Sequence, residues 1–359
     1  MTVTFCTIVI FFNRKFVRKL LILFLFFALV SQVQAQDRRD KVPVTYEELY
    51  DEPYSINKLF VQFQPIYGEL WKANINAGFG LEATYFFKDK FTFRAHTRKS
   101  YTQKFDLSRD LAERNNDMED EPNIFNLYEF GATYHIKDFT KSSTTKMVLY
   151  RKSYKDAKWA ARVPLQAEVP ATLRKIFGAR LGGLIYDSSI DLKSAIEDQG
   201  GSVSEFINAE GTPLPEMLPD ENGEMRDIFV YGNMNAAGLY LGTSLTWIRN
   251  VAVDFDNSYQ DAVDDLILTA FFDLLITPQM QVDDVTYLGQ VYSTEPFDTS
   301  KFGWRLGLEG KFNRTLSWAY GGEIGMRPGP KTRGLYAAIK VSFPVYSTNI
   351  DYNVEAFGK

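Results

Sequence analysis

The chain has two histidines, and any acid–base or metal chemistry must begin with them. His96 stands between Arg94 and Arg98, while His135 follows Thr133 and Glu129. An imidazole bonded to a Ser or Thr hydroxyl and oriented by a carboxylate is the nucleophile, base and orienter set of a hydrolase. His135 with a neighbouring hydroxyl and Glu129 is the best version of it here. The supporting signals are missing: there is no G-x-S-x-G, no serine two residues from either histidine and no carboxylate pair placed to flank a cleft. Read on neighbouring strands, the two histidines stand about four residues, or roughly 13 Å, apart in height. That is too far to share a metal. Asp283-Asp284 with Glu295 and Asp298, and Asp187 with Asp191, could offer loop oxygens to Ca²⁺, but neither set has the glycine and spacing of an ordered calcium loop. The only cysteine, Cys6, leaves no thiolate site once the leader is removed. No catalytic residue, cofactor or metal ligand is expected.

What the histidines do share is a face. From Gly303 to Val345 the chain alternates with a period of two in three successive stretches. Trp304, Leu306, Leu308 and Phe312 alternate with Arg305, Gly307, Glu309 and Lys311, and the next two stretches put Glu323, Arg327 and Lys340 on the polar phase. The same phase upstream holds Glu82, Arg94, His96, Arg98, Glu129, His135, Arg180 and Asp273. Period two sends alternate side chains to opposite faces of a sheet. One face rich in Trp, Tyr, Phe and Leu, with mixed charge on the other and about ten residues per crossing, is the pattern of an antiparallel transmembrane β-barrel. The polar set is then the lumen lining.

The start of the chain fits export. Residues 1–35 contain no acid, carry Arg14, Lys15, Arg18 and Lys19, and run through the apolar stretch Leu20–Val30 to Val33-Gln34-Ala35. These are the three regions of a signal peptide, and an apolar run of about 11 residues is short of the 20 or so that span a bilayer. Losing those four cations takes the formal charge from −5 to −9, so no electrostatic footprint for nucleic acid is left. An envelope protein whose membrane contact is all β belongs in an outer membrane.

The expected organisation is a signal peptide (1–35), a periplasmic lead-in of little structure (36–57), the barrel (58–346) and a periplasmic tail (347–359). Short turns are expected near 88–90, 138–144, 171–174, 256–261 and 313–315, with long external loops at 105–122, 187–226 and 276–300. Thr145–Tyr154 and Trp159–Val169 read as weak strands and Ile228–Phe255 as one long descending strand. This gives about 12 strands, with 14 as the alternative if Ile228–Tyr231 stands alone. Leu107–Arg114 and Leu192–Asp198 carry helical signals inside the loops. Pro344 cannot donate to a ladder and marks the periplasmic end of the last strand. The alternating tail Ile350–Ala356 is read as periplasmic, with a further strand, a plug or a segment that adds to a partner's sheet as alternatives.

With the leader ending Val33-Gln34-Ala35-Gln36 and the ladder from Gly303 to Tyr346, the chain resembles outer-membrane β-barrel proteins of the kind common in Bacteroidota. The likeness is architectural and carries no functional residue. It implies outer-membrane lipid and the barrel-assembly machinery as partners, although the chain runs on to Lys359 where such barrels usually close on an aromatic residue. The charged lumen favours a narrow channel or uptake barrel. Next comes a non-conducting structural or accessory subunit that binds an envelope partner through its long loops or tail. A barrel hydrolase acting on lipid is the third reading.

Overall fold

The computed structural model describes residues 45–115, 117–149, 165–220, 222–255, 261–313 and 318–348. The leader, the tail beyond Thr348 and the expected turns 256–261 (except Asp261) and 314–315 lie outside them. In chain order the strands are β1 (Tyr46–Asp51), β2 (Leu59–Trp71), β3 (Asn74–Phe87), β4 (Phe91–Ser100), β5 (Asn126–Leu149), β6 (Leu165–Asp191), β7 (Met217–Pro219), β8 (Met225–Asp227), β9 (Tyr231–Ile248), β10 (Val251–Phe255), β11 (Ala262–Asp264), β12 (Leu266–Val282), β13 (Val285–Tyr287), β14 (Gln290–Tyr292), β15 (Thr299–Ser300), β16 (Phe302–Phe312), β17 (Ala319–Met326), β18 (Gly329–Pro330) and β19 (Leu335–Ser347). Ten of them close into a barrel in the order β2-β3-β4-β5-β6-β9-β12-β16-β17-β19, with β19 pairing back to β2. Every barrel pair is antiparallel, so closure leaves no open edge.

The count is ten, not 12 or 14, and the reason is local. The expected turns at 138–144 and 171–174 do not form. After a bulge between His135 and Lys137, β5 and β6 stay in register from Lys137↔Phe177 to Leu149↔Leu165. Two expected strands merge into each, because Phe139 and the Ser/Thr run that follows are as content in a strand as in a turn. The rest of the weak strands, residues 150–164, lies outside the described residues. Ile228–Phe255 is not one strand either: β9 ends at Ile248, and β10 leaves the barrel to pair with β1 and β11. The lead-in contributes β1 rather than an unstructured arm. Pro344 sits between two register shifts of β19 opposite β2, where a missing donor costs least.

The connections divide the barrel into a turn end and a loop end. At the turn end Lys88 and Asp89 both have positive φ, 50° and 55°, at the centre of the turn that the Lys90 amide closes on the Phe87 carbonyl, within the three-residue link between β3 and β4. Beyond this rim β5 and β6 continue as a two-stranded extension of roughly 40 Å, tied to β11 by Thr145 Oγ1 donating to Asp264 at 2.6 Å. At the loop end the long connections fold into an ordered cap. The helices Leu107–Asn115 and Leu192–Glu197 stand where the helical signals fall. Leu192, Ile196, Phe206, Leu214, Ile228 and Val230 are buried in one cluster with Tyr67, Trp71, Phe125 and Tyr186 of the barrel mouth. The acidic insertion is therefore a small core with a charged skin.

Candidate functional site: the barrel interior

The inward phase of ten strands brings together charges far apart in sequence, and they order into layers. Nearest the loop end, Arg327 makes a two-pronged pair with Glu69 at 2.6 and 2.7 Å. Its guanidinium lies within 5.5 Å of the ring centroids of Trp71, Phe125, Tyr186 and Tyr336. In mid-barrel Arg305 forks onto Glu129 at 2.7 and 2.8 Å and donates through Nε to Asp273 at 2.8 Å. Arg180 takes the other oxygen of Asp273 at 2.9 Å, with its guanidinium 4.2 Å from the Phe271 centroid. Arg98 pairs with Glu323 at 3.1 Å. One layer towards the turn end, Lys340 bridges Glu82 at 2.5 Å and Glu309 at 2.8 Å, and Arg94 bridges the same two at 3.3 and 2.7 Å.

Small residues make the room. Tyr240 lies across β5 and β6 where a Cβ on Gly131 or Gly182 would meet its ring, and a Cβ on Gly321 would strike the Lys340 stem that reaches Glu309.

The histidines serve this packing. His96 Nε2 pairs with Gln64 Oε1 at 3.0 Å, and the Gln64 amide donates to Glu82 at 3.0 Å. His135 sits at the turn-end rim: Thr92 Oγ1 is 2.9 Å from its Nε2, and its Nδ1 reaches the Asp89 carbonyl at 2.8 Å. A hydroxyl and an imidazole are thus within hydrogen-bond reach, but the orienter is a backbone carbonyl. Glu129 is committed to Arg305 and stands on the rung of His96, six residues or about 20 Å along β5 from His135.

Below the Lys340 layer is a cavity of about 60 Å³, lined by Thr84, Thr92, Thr133, Thr246, Thr269, Ser342, Lys311 and the ends of Glu82, Arg94 and Glu309. Its floor is a cluster in which Ile56, from the segment before β2, packs with Phe60, Phe86, Ile176, Ile248 and Ile267. Tyr54 of that segment covers Arg174, 4.1 Å from the ring centroid, and Asn250 and Asn313 hold the segment's backbone. Glu69 and Lys311 complete the set that the sequence reading named. On β2 the inward phase carries Tyr67 and Trp71, which inverts the usual aromatic-out code and hid Glu69. Lys311 stood on the polar phase all along.

In the cap, Asp117 accepts from Arg226 at 2.5 and 2.8 Å, and from the Phe229 backbone at 2.8 Å. Burial pushes the Asp117 carboxyl up, but these bonds leave it below the ordinary carboxylate range. Asp283 lies beside a cavity of about 70 Å³ that Asp120 and Asp284 also line. Burial raises it, and those two carboxylates add to the rise. Asp284 accepts from Thr294, Asp298 pairs with Lys331, and Asp191 caps the helix Leu192–Glu197. Among the described residues no group of three or more His, Cys, Asp or Glu is placed to hold a metal.

No helix among the described residues is long and apolar enough to cross a membrane, which says nothing of crossing by strands. No protein-family model matches the chain, and no curated protein does. Among solved structures, the CymD monoaromatic hydrocarbon channel aligns with 81% of this chain and 88% of its own at 8% identity. The TM-score is 0.19, a superposition too loose to bear on fold or function.

Proposed function

We propose that this chain is an integral outer-membrane β-barrel whose bore is filled by its own side chains, and that it acts through its two ends as a non-conducting subunit of a larger envelope complex. The observation that carries the reading is the bore itself. It is closed by the aromatic-caged Arg327–Glu69 pair, by the Arg305 and Lys340 layers and by the Ile56 floor.

The outer wall supports the membrane half of the reading. Each barrel strand exposes large apolar residues, among them Ile66, Leu81, Phe130, Leu181, Leu241, Leu306 and Ile339. A soluble monomer rarely exposes apolar patches beyond a few hundred Å². Tyr85, Tyr134, Trp318 and Tyr346 lie towards the turn end of this wall, and Tyr101, Tyr128 and Phe302 towards the loop end, all exposed. Aromatic girdles at two interfaces have this form. The turn end then faces the periplasm and the cap faces outwards. Outer-membrane lipid and the barrel-assembly machinery are the first partners; the cap and the β5–β6 extension offer ordered surfaces to a protein partner. The reading includes no enzymatic activity.

A narrow channel is the second reading, favoured by the cavity inside the bore. It requires the Lys340 layer and the Ile56 floor to move aside. The test is to refold the full-length protein into planar bilayers and to fractionate cells expressing it. Sedimentation with the outer membrane, resistance to carbonate extraction, no steady conductance and co-purification of a stoichiometric envelope protein are expected. Reproducible conductance steps would replace the closed-bore reading with the channel. Recovery as a soluble protein would remove the membrane reading altogether.

A further inference from the structure

We propose that the turn-end cavity inside the barrel binds a small monovalent anion, either chloride or a carboxylate of one or two carbons. Three donors that border it lack an acceptor among the described residues. Lys311 is the first. Each of the other inward cations described above has a carboxylate within 4 Å. Lys311 has none: its ammonium stands 4.9 and 5.7 Å from the ring centroids of Phe60 and Phe86. The second is Arg94, whose terminal Nη2 serves both Glu82 and Glu309 while its buried Nε donates to nothing. The third is Ser342, which is 1% exposed and whose hydroxyl has no partner.

Register brings Lys311 and Ser342 together, and Arg94 lines the same cavity from β4. Ser342 pairs with Ala319, one residue beyond the Gly310–Tyr320 pair of β16 and β17. Lys311 and Ser342 therefore flank Ala319 on the same rung, and the small Ala319 leaves the space between them open. The surplus charge decides what fills that space. Water can satisfy a hydroxyl and a guanidinium N–H, but it cannot neutralise an ammonium held in a low-dielectric interior. Glu82 and Glu309 border the same cavity and repel any further negative charge, so one unit of charge fits and two do not. A volume of about 60 Å³ suits the same choice, since one water requires roughly 10–15 Å³ of such space. The site depends on the barrel interior alone and holds whichever functional reading is correct.

The experiment uses the purified full-length protein in detergent, melted in gluconate buffer to which chloride, bromide, formate or sulfate is added at constant ionic strength. A saturable rise in melting temperature is expected with chloride, bromide and formate, and little with sulfate. Lys311→Met should give a flat response, and its melting temperature in gluconate should equal or exceed the wild type's because an uncompensated charge is gone. Ser342→Ala should weaken the response several-fold. A wild-type response absent for all three monovalent anions, or an equal saturable rise in Lys311→Met, overturns the proposal. If Lys311→Met does not fold, bromide-soaked wild-type crystals decide it: an anomalous peak between Lys311 and Ser342 supports the site, and an empty cavity overturns it.

Discussion

The two ends of the bore use the same chemistry and reach opposite results. At the loop end Arg327 and Glu69 pair inside four aromatic rings, and that packing runs on into the cap core through Tyr186 and Phe125. At the turn end Arg94, Lys340, Glu82 and Glu309 pair just as closely, but the next rung holds threonines, Ser342 and Ala319, and a cavity opens beneath them. The charges do not decide whether the bore is tight; the size of the residues one rung away does. A buried pair in a rigid aromatic cage cannot relax when one partner is lost, whereas a pair beside a cavity can recruit water.

That contrast predicts unequal costs. Glu69→Ala leaves Arg327 buried and unmatched, and should cost about 3–5 kcal/mol by urea unfolding in detergent. Glu69→Leu with Arg327→Leu should recover most of the loss, since well-packed apolar replacements of a buried pair are often neutral. A Glu69→Ala loss no larger than that of Glu309→Ala would remove the distinction between the two ends.

Next in size is the floor of the cavity. Ile56→Ala deletes buried methyls from the Ile56–Phe60–Phe86 cluster and should cost about 2 kcal/mol or somewhat more. It should also speed labelling of a cysteine placed at Ser342 by a water-soluble thiol reagent, while Glu69→Ala should not. Equal labelling rates with and without Ile56 would mean that water reaches the cavity by another path.

How much of this could be read in the sequence follows from what each region packs against. The barrel wall was legible because one face is apolar and the other is not, so period two survives from β2 to β19. The strand number was not, because β5 and β6 outrun the barrel. Past His135 no lumen fixes an inward phase, and Phe139-Thr140-Lys141-Ser142 reads equally as a turn. The cap was hidden for a different reason. Leu192, Ile196, Phe206 and Leu214 pack into one core from a helix and irregular backbone, so their spacing has no period to detect. The inward charges lay on the polar phase, but their partners depend on sheet stagger. Arg94 and Glu309, 215 residues apart, pair across the bore from strands that are not neighbours.

A smaller effect is expected from Glu309→Gln. Lys340 and Arg94 still hold Glu82 at 2.5 and 3.3 Å, and the cavity below can supply water, so the change should cost about 1–2 kcal/mol. It should also make the cavity more receptive to anions, raising the apparent affinity for chloride in the melting assay. A large loss of stability, as big as that of Glu69→Ala, would show that the turn-end layer is as rigid as the loop-end cage.

The smallest effect separates the cap from the barrel by pH. Asp117, although burial pushes it up, is held below the ordinary carboxylate range by Arg226 and the Phe229 amide. Asp198 is held low by Lys72 at 3.0 Å and Arg333 at 2.8 Å, salt bridges that join the cap to the β2–β3 and β17–β19 connections. A carboxylate whose folded value is depressed contributes stability that is complete above its unfolded value and is lost as pH falls through the folded one. Asp283, raised by burial beside Asp120 and Asp284, has the opposite sign: its protonation relieves repulsion, so it offsets part of the loss. Asp198 is about a third exposed, so its share is small and screened by salt. As pH falls below about 4 and through the depressed folded values of Asp117 and Asp198, the cap should therefore loosen modestly while the barrel stays closed. Hydrogen exchange should show it, with the Phe229 amide losing protection on acidification while amides of β12 and β16 do not. Arg226→Gln removes the main group holding Asp117 low, so the cap should already be looser at neutral pH and should loosen less on acidification. If Phe229 stays protected down to pH 3 in both proteins, the cap is held by its apolar core alone and the ionic clamps are incidental.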